Sequence, residues 1–341
     1  MFIDEIDAIG RRREGAGEAT NPVLNQLLAT MDGFVGGSRP VFVLAATNHP
    51  ELLDSALLRP GRFDETIPTD LPNAAGREEF FRLRLASLVD FATVDVKRLV
   101  QPSSGLSPAE LDRVVREAVY SAAAAGRETV CEADLVAALR LVRFGAAQEG
   151  IEVKPKERNL VAHHEAGHAI AQLRLFPQLP VDYLTIVPNE QGALGFLAPG
   201  QDEASHVLTR QDVEARLAVL LAGREAERLA TGSREHGTSG ASSDIEAASR
   251  LAWLAVSAWG LDEEIGPLSI AVFPEDARGG LSARAITRVE AWMTAAAERA
   301  RMLLEANRDA LERLASLLLE RESLDNEDLR LLLGPFEAAK A

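Results

Sequence analysis

The sequence predicts a multidomain chain, an α/β unit followed by all-α, mostly helical units. Three observations carry this. The 341 residues are about two to three times the usual length of one domain. Over residues 1–70, short apolar strands alternate with helical pieces, the α/β pattern. From residue 73 onward, apolar residues recur mostly at helical intervals. Hydrophobic residues make up 47% of the chain and charged residues 26%, enough apolar content to bury a core.

Met1-Phe2-Ile3-Asp4-Glu5 reads as the end of a buried strand followed by two carboxylates. It has fewer apolar residues than the usual run of about four to eight. The chain therefore reads as a fragment or truncated gene product. Asn21–Met31 has apolar residues at 23, 24, 27, 28 and 31, the helical spacing, and Asp32-Gly33 is expected to stop that helix. Val41–Ala46 is a continuous, β-branched apolar run and reads as a buried parallel strand. Residues 73–148 are mostly helical in pattern. Ser107-Pro108 supplies an N-cap with proline at the first helical position, the apolar face follows at 111, 114, 115, 118 and 119, and another helix is expected near 132–143. Gly145–Arg158 is polar and charged and reads as an inter-domain linker. Long helices dominate from Asn159, interrupted by a β-rich patch at Val181–Val187 and Ala193–Leu197. A run of amphipathic helices is expected over roughly 282–333. There is no internal repeat. The expected units are 1–70, 71–149 and 150–341.

Acidic residues outnumber basic ones, 52 to 36, for a formal charge of −16. Such a surface repels phosphates and anionic lipid head groups, which excludes nucleic acid as a general partner. The single cysteine, Cys131, cannot form an internal disulfide, which fits a reducing compartment. The longest apolar stretches, Leu217–Ala222 and Leu251–Trp259, fall far short of the ~20 residues that cross a bilayer. No secretory signal pattern opens the chain. As given, a cytoplasmic-type protein is expected.

The sharpest motif is His164-Glu165-Ala166-Gly167-His168. On a helix, residues four apart share a face, so the two imidazoles can grip one metal ion. Glu165, next to the first imidazole, is placed to act as the catalytic base on a metal-activated water. Zinc needs a third protein ligand. Glu225, Glu227, His236, Asp244 and Glu246 are candidates, and spacing does not choose among them. No glycine and histidine follow His168 at offsets three and six, which excludes one zinc-protease variant. His163 points about 100° away from His164 on a helix and reads as packing or surface. His206 and His236 lie in polar segments and carry no assigned role.

A second constellation is weaker. Phe2-Ile3-Asp4-Glu5 has the form of a strand ending in an acidic pair, which in nucleotide hydrolases holds magnesium and orients water. Ala45-Ala46-Thr47-Asn48 ends the next strand in a polar amide. Arg59 and Arg62 then stand near a turn, and guanidinium suits the charge on a transferring phosphoryl group. The alternative for these arginines is an ordinary surface salt bridge. The phosphate loop Gly-x-x-x-x-Gly-Lys-Ser/Thr is missing, since none of the four lysines follows a glycine.

Together these residues resemble the FtsH family of membrane-anchored, ATP-dependent zinc metalloproteases, over essentially the whole chain. FIDEIDAIG looks like the Walker B segment. LNQLLATMDGF and LAATNHPELLDSALLRPGRFDETI look like the second half of an AAA+ module, and LSPAELDRVVREA like its lid helix. HHEAGHAIAQL followed by TSGASSDIEAASRLAWLAVSAWG looks like the peptidase domain. The resemblance implies a partial AAA+ core over 1–70, a helical AAA+ lid over 71–149 and a mostly helical zinc peptidase domain over 150–341. It implies Asp244 as the third zinc ligand beside His164 and His168, and Glu165 as the catalytic residue. For ATP and Mg2+ it implies Asp4 and Glu5, with Asn48 as sensor and Arg59 and Arg62 as fingers reaching a neighbouring subunit. It further implies polypeptide substrates and a homo-hexamer. Membrane contact would come only through upstream segments, which would place the complete protein at the cytoplasmic face of the inner membrane. Pro108 replaces a small residue of the family's lid, and Asn21-Pro22 stands where the family has a charged stretch. The residues alone also allow an ATP-independent zinc peptidase, or a non-proteolytic adaptor derived from such an enzyme.

Overall fold

A computed structural model describes residues 1–10, 22–34, 41–86, 88, 94–146, 148, 153–179, 181–189, 194–200, 207–232 and 238–334. Two compact units divide the chain at Asp70/Leu71.

In the first unit, β1 (Phe2–Ile3) leads through α1 (Asp7–Gly10) and α2 (Pro22–Phe34) to β2 (Leu44–Ala45). The two strands pair in parallel, Phe2 opposite Leu44 and Ile3 opposite Ala45. The parallel pairing expected of the apolar run is present, but its burial is not. Phe42 is 87% exposed and Leu44 61%. Parallel strands are buried only where helices cover both faces, and this two-stranded sheet leaves its apolar residues uncovered. Helix α2 has the expected spacing, with Leu24 and Met31 buried. It runs through Asp32-Gly33 to Phe34 rather than stopping there. One glycine costs a helix only about 1 kcal/mol, and Asp32 spends its carboxylate on Arg62 rather than on ending the helix.

The second unit opens with four helices around one core. These are α3 (Ala74–Leu85), α4 (Lys97–Val100), α5 (Pro108–Ala124) and α6 (Glu132–Phe144). Ser107 caps α5 in a reciprocal capping box with Glu110, and Pro108 takes the first helical position, as the sequence predicts. Leu111, Val114, Val115 and Ala118 are buried against Phe81, Leu85, Leu99 and Leu135.

Next comes α7 (Pro155–Leu175), which carries the His-Glu-x-x-His motif. It begins inside the expected linker, so Pro155–Arg158 are helical; a proline at the first helical position explains why charge did not prevent a helix there. Half of the remaining linker, residues 147 and 149–152, lies outside the described residues. Strands β3 (Val181–Thr185) and β4 (Phe196–Pro199) follow. The second strand thus starts three residues later than expected, residue 193 lying outside the described residues. Helices α8 (Arg210–Thr231), α9 (Ser242–Ser257), α10 (Glu275–Ala306) and α11 (Arg308–Arg321) come next. They precede β5 (Ser323–Asp325) and α12 (Asn326–Leu333). The antiparallel sheet has the order β4-β3-β5. Strand β5 interrupts the expected helical run, and its three residues are too few to show a period of two in the sequence.

Alanines line the contact between α7 and α8: Ala162, Ala166 and Ala169 meet Ala218, Ala222 and Ala226. Gly167 sets how close the two helices come. A Cβ there would lie 2.5 Å from Ala226 Cβ and 2.7 Å from the Ala222 carbonyl oxygen. This approach places α8 backbone beside the two imidazoles.

Candidate metal centre

His164 and His168 lie one turn apart on α7 and are both buried. Their Nδ1 atoms are committed. His164 Nδ1 donates to Glu227 Oε1 at 2.7 Å, and Glu227 Oε2 accepts from Thr238 Oγ1 at 2.7 Å. His168 Nδ1 lies 2.8 Å from the Val219 carbonyl oxygen, which can only accept. Each neutral ring therefore carries its hydrogen on Nδ1 and a bare lone pair on Nε2. Those two Nε2 atoms face each other at 3.0 Å. Asp244 Oδ2, in the first turn of α9, is 3.2 Å from His164 Nε2 and 3.5 Å from His168 Nε2.

With both rings neutral, three acceptor atoms converge with no hydrogen between them, an arrangement that calls for a cation or for a proton on His164 Nε2. Tetrahedral zinc with bonds of about 2.0–2.1 Å holds its ligand atoms about 3.3 Å apart, within the observed spread. The neighbouring backbone leaves room. A Cβ on Gly223 of α8 would lie 2.5 Å from His168 Nε2 and 2.6 Å from His164 Nε2, in the space such an ion needs. The donor set fits zinc.

Electrostatics report the same demand. Burial pulls the His164 imidazolium down, but the Asp244 and Glu227 carboxylates outweigh it and its pKa is pushed up to about 10. Burial raises Asp244, but the two imidazoles outweigh this and hold it well below the usual carboxylate range. Glu165 is the opposite case. It is buried beside the imidazoles, makes no hydrogen bond to another described residue, and burial pushes its pKa up to about 7.

Of the sequence candidates for a third ligand, only Asp244 joins the two imidazoles among the described residues. Glu225 pairs with Arg228, and Glu246 pairs with Arg250 on the surface. His206 and His236 lie outside the described residues. Glu227 has a role that spacing could not reveal, holding His164 from behind. The signal was present as a lone acidic residue on the α8 face that carries Gly223, but only the packing of α7 on α8 gives it meaning. His163 packs, as expected: Nδ1 meets the Asn159 carbonyl oxygen and Nε2 lies 3.2 Å from Glu312.

In the first unit, Asp4 and Glu5 follow β1 and Asn48 follows β2, at the same ends of adjacent parallel strands. All three are exposed. Glu5 adopts φ 49°, the left-handed region that residues with a side chain seldom occupy. Arg59 is exposed, whereas Arg62 donates to both Asp32 oxygens at 2.9 and 2.8 Å and to the Ala56 carbonyl oxygen at 2.7 Å.

Helices packed around a two-histidine, one-carboxylate centre, with a buried glutamate beside the first histidine, define the metallopeptidase class of site. The sequence model of peptidase family M41 matches residues 151–332, and that of the ATPase family associated with various cellular activities (AAA) matches residues 1–71. The chain belongs to peptidase family M41. It is 37% identical to the ATP-dependent zinc metalloprotease FtsH of Thermus thermophilus, over 99% of this chain and 56% of that protein. It is 41% identical to the ATP-dependent zinc metalloprotease FtsH 1 of Symbiobacterium thermophilum, over 98% of this chain and 56% of that protein. It is 34% identical to the FtsH of Thermotoga maritima, over 98% of this chain and 57% of that protein. The chain thus spans a little over half the length of these relatives. No described helix is long and apolar enough to cross a membrane.

Proposed function

We propose that the chain carries the peptidase part of an ATP-dependent zinc metalloendopeptidase that cleaves unfolded or misassembled polypeptides. The observation that carries this reading is the convergence of His164 Nε2, His168 Nε2 and Asp244 Oδ2 beside the buried Glu165. His164, His168 and Asp244 would hold zinc. When bound there, zinc acidifies water and polarises a peptide carbonyl. Glu165 takes the proton from the attacking water and delivers it to the leaving amine. Glu227 and the Val219 carbonyl keep both imidazoles in the tautomer that leaves Nε2 bare. Among the described residues strand β4 lies at the sheet edge, and its outer side would take a substrate chain as one more strand.

Residues 1–70 would form the later part of an AAA+ core, 71–149 its helical lid and 150–341 the peptidase domain. Asp4 would hold Mg2+ and Glu5 orient water for ATP hydrolysis. Asn48 would sense the phosphate, and Arg59 and Arg62 would reach a neighbouring subunit of a homo-hexamer. The inward pairing of Arg62 with Asp32 means it would have to release that partner to do so. The complete protein would act at the cytoplasmic face of the inner membrane, anchored by segments upstream. The family matches and the relatives' names support the ATPase and zinc-protease assignments, and the residue roles, the hexamer and the anchoring rest on the family resemblance.

The test is casein cleavage with zinc content measured on the same samples. His168→Ala should lose zinc. Glu165→Gln should keep it and lose about 100- to 10,000-fold in cleavage. Cleavage that survives in Glu165→Gln removes the proposed mechanism.

A further inference from the structure

Gly195 immediately precedes β4 and lies against Glu165. A Cβ at this position would lie 2.8 Å from the Thr185 carbonyl oxygen, 2.8 Å from Val161 Cγ1 and 3.0 Å from Glu165 Cγ. Gly195 is not among the glycines with positive φ, so backbone conformation does not explain its presence. The constraint is space.

Which neighbour would yield to a side chain follows from how each is held. The Thr185 carbonyl belongs to the middle strand, paired on one side with Phe196 and on the other with Ser323. Val161 is β-branched on a helix, where one χ1 rotamer dominates. Strand β4 cannot simply back away, because the Phe196 ring packs on Phe144 of α6, centroids 4.7 Å apart, and on Tyr183 at 5.7 Å. Glu165 is different. It has three side-chain torsions and no hydrogen bond to another described residue, so it is the neighbour free to move.

We propose that Gly195 is a positioning residue for the proposed base: by having no side chain, it leaves the space that lets the Glu165 side chain stand where it does relative to His164 and His168, space that a Cβ at this position would take from it. This inference rests on the reading of Glu165 as the general base.

The test compares the zinc-loaded wild-type chain with Gly195→Ala, and with Gly279→Ala as a control. Nothing lies within 4 Å of a Cβ at Gly279, so the control should behave as wild type. For Gly195→Ala, zinc content and KM for a peptide should stay within about twofold, while kcat falls about 10- to 100-fold, the scale of a misplacement of about 1 Å. Crystal structures of the two proteins should show the Glu165 carboxylate displaced and the two imidazoles unmoved. An unchanged kcat with an unmoved carboxylate overturns the proposal. So does a loss of zinc, or a rise in KM matching the fall in kcat, since Gly195 would then serve the fold alone. If the wild-type chain cleaves nothing, the functional reading fails for this chain. The crystallographic comparison then decides the positioning role by itself.

Discussion

His164 donates its Nδ1 hydrogen to Glu227 at 2.7 Å, and Thr238 holds the other oxygen of the same carboxylate. A residue of α8 and one from the approach to α9 thereby orient an imidazole on α7. Glu227→Gln keeps the size and one acceptor but removes the charge. Zinc affinity should fall about 10- to 100-fold, the usual effect of removing such an outer partner. Competition with a chelator measures this. An unchanged affinity would mean that Glu227 merely packs.

Gly223 should be intolerant of any side chain. A methyl there would intrude between the two Nε2 atoms, so Gly223→Ala should bind little zinc. The zinc-free variant should be less stable than the zinc-free parent, because overlap with two buried imidazoles costs about 1–3 kcal/mol, against a gain of about 1 kcal/mol for alanine over glycine in a helix interior. Elemental analysis and thermal unfolding of both metal-free proteins separate these effects. Full zinc content in the variant would place the ion elsewhere.

Zinc binding should release a proton. Without metal, the raised pKa of His164, about 10, leaves that ring charged at neutral pH. Zinc takes only the neutral ring, so the proton must leave. Apparent affinity should therefore rise with pH, by about tenfold per unit for a one-proton exchange between pH 6 and 8. Calorimetry in buffers of different ionisation enthalpy counts the proton directly. No buffer dependence would mean that His164 is already neutral before the metal binds.

Asp134 joins the helical core to its loops: it accepts from both terminal nitrogens of Arg127, from the Cys131 backbone N–H and from Ser121. Arg127 first, and then the other hydrogen bonds, outweigh burial and hold its carboxyl well below the usual range. A carboxyl depressed on folding stabilises the fold above its unfolded pKa, about 3.9, and loses that contribution as pH falls toward its folded value. Asp134→Ala should cost about 1–2 kcal/mol at pH 7, in the range of a lost helix cap. The gap to wild type should narrow below about pH 4. Urea unfolding across that range would show it, and a gap independent of pH would rule the charge out.

Much of this was legible in the sequence because it is local. The cap at Ser107, the apolar face at 111–118 and the pairing of His164 with His168 depend only on neighbours within one or two turns. The family resemblance extended that reach to Asp244. Burial of the Val41–Ala46 run was misread, since burial depends on what covers a strand rather than on its own residues. The amphipathic run near the C-terminus hid β5, whose pairing with β3 spans about 140 residues of sequence.

The sequence by itself determined the helix that carries the two histidines, the acidic residue between them and the small residues that let another helix approach. Only the tertiary structure brings Asp244, named by the family resemblance, up to the two imidazoles, sets Glu227 behind His164, and leaves no room for a Cβ at residues 195 and 223. Helix spacing fixes what shares a face within about two turns. The groups from α7, α8 and α9 meet at one point only because the cores beneath them pack at a set distance, and that distance is a property of the fold rather than of any segment of it.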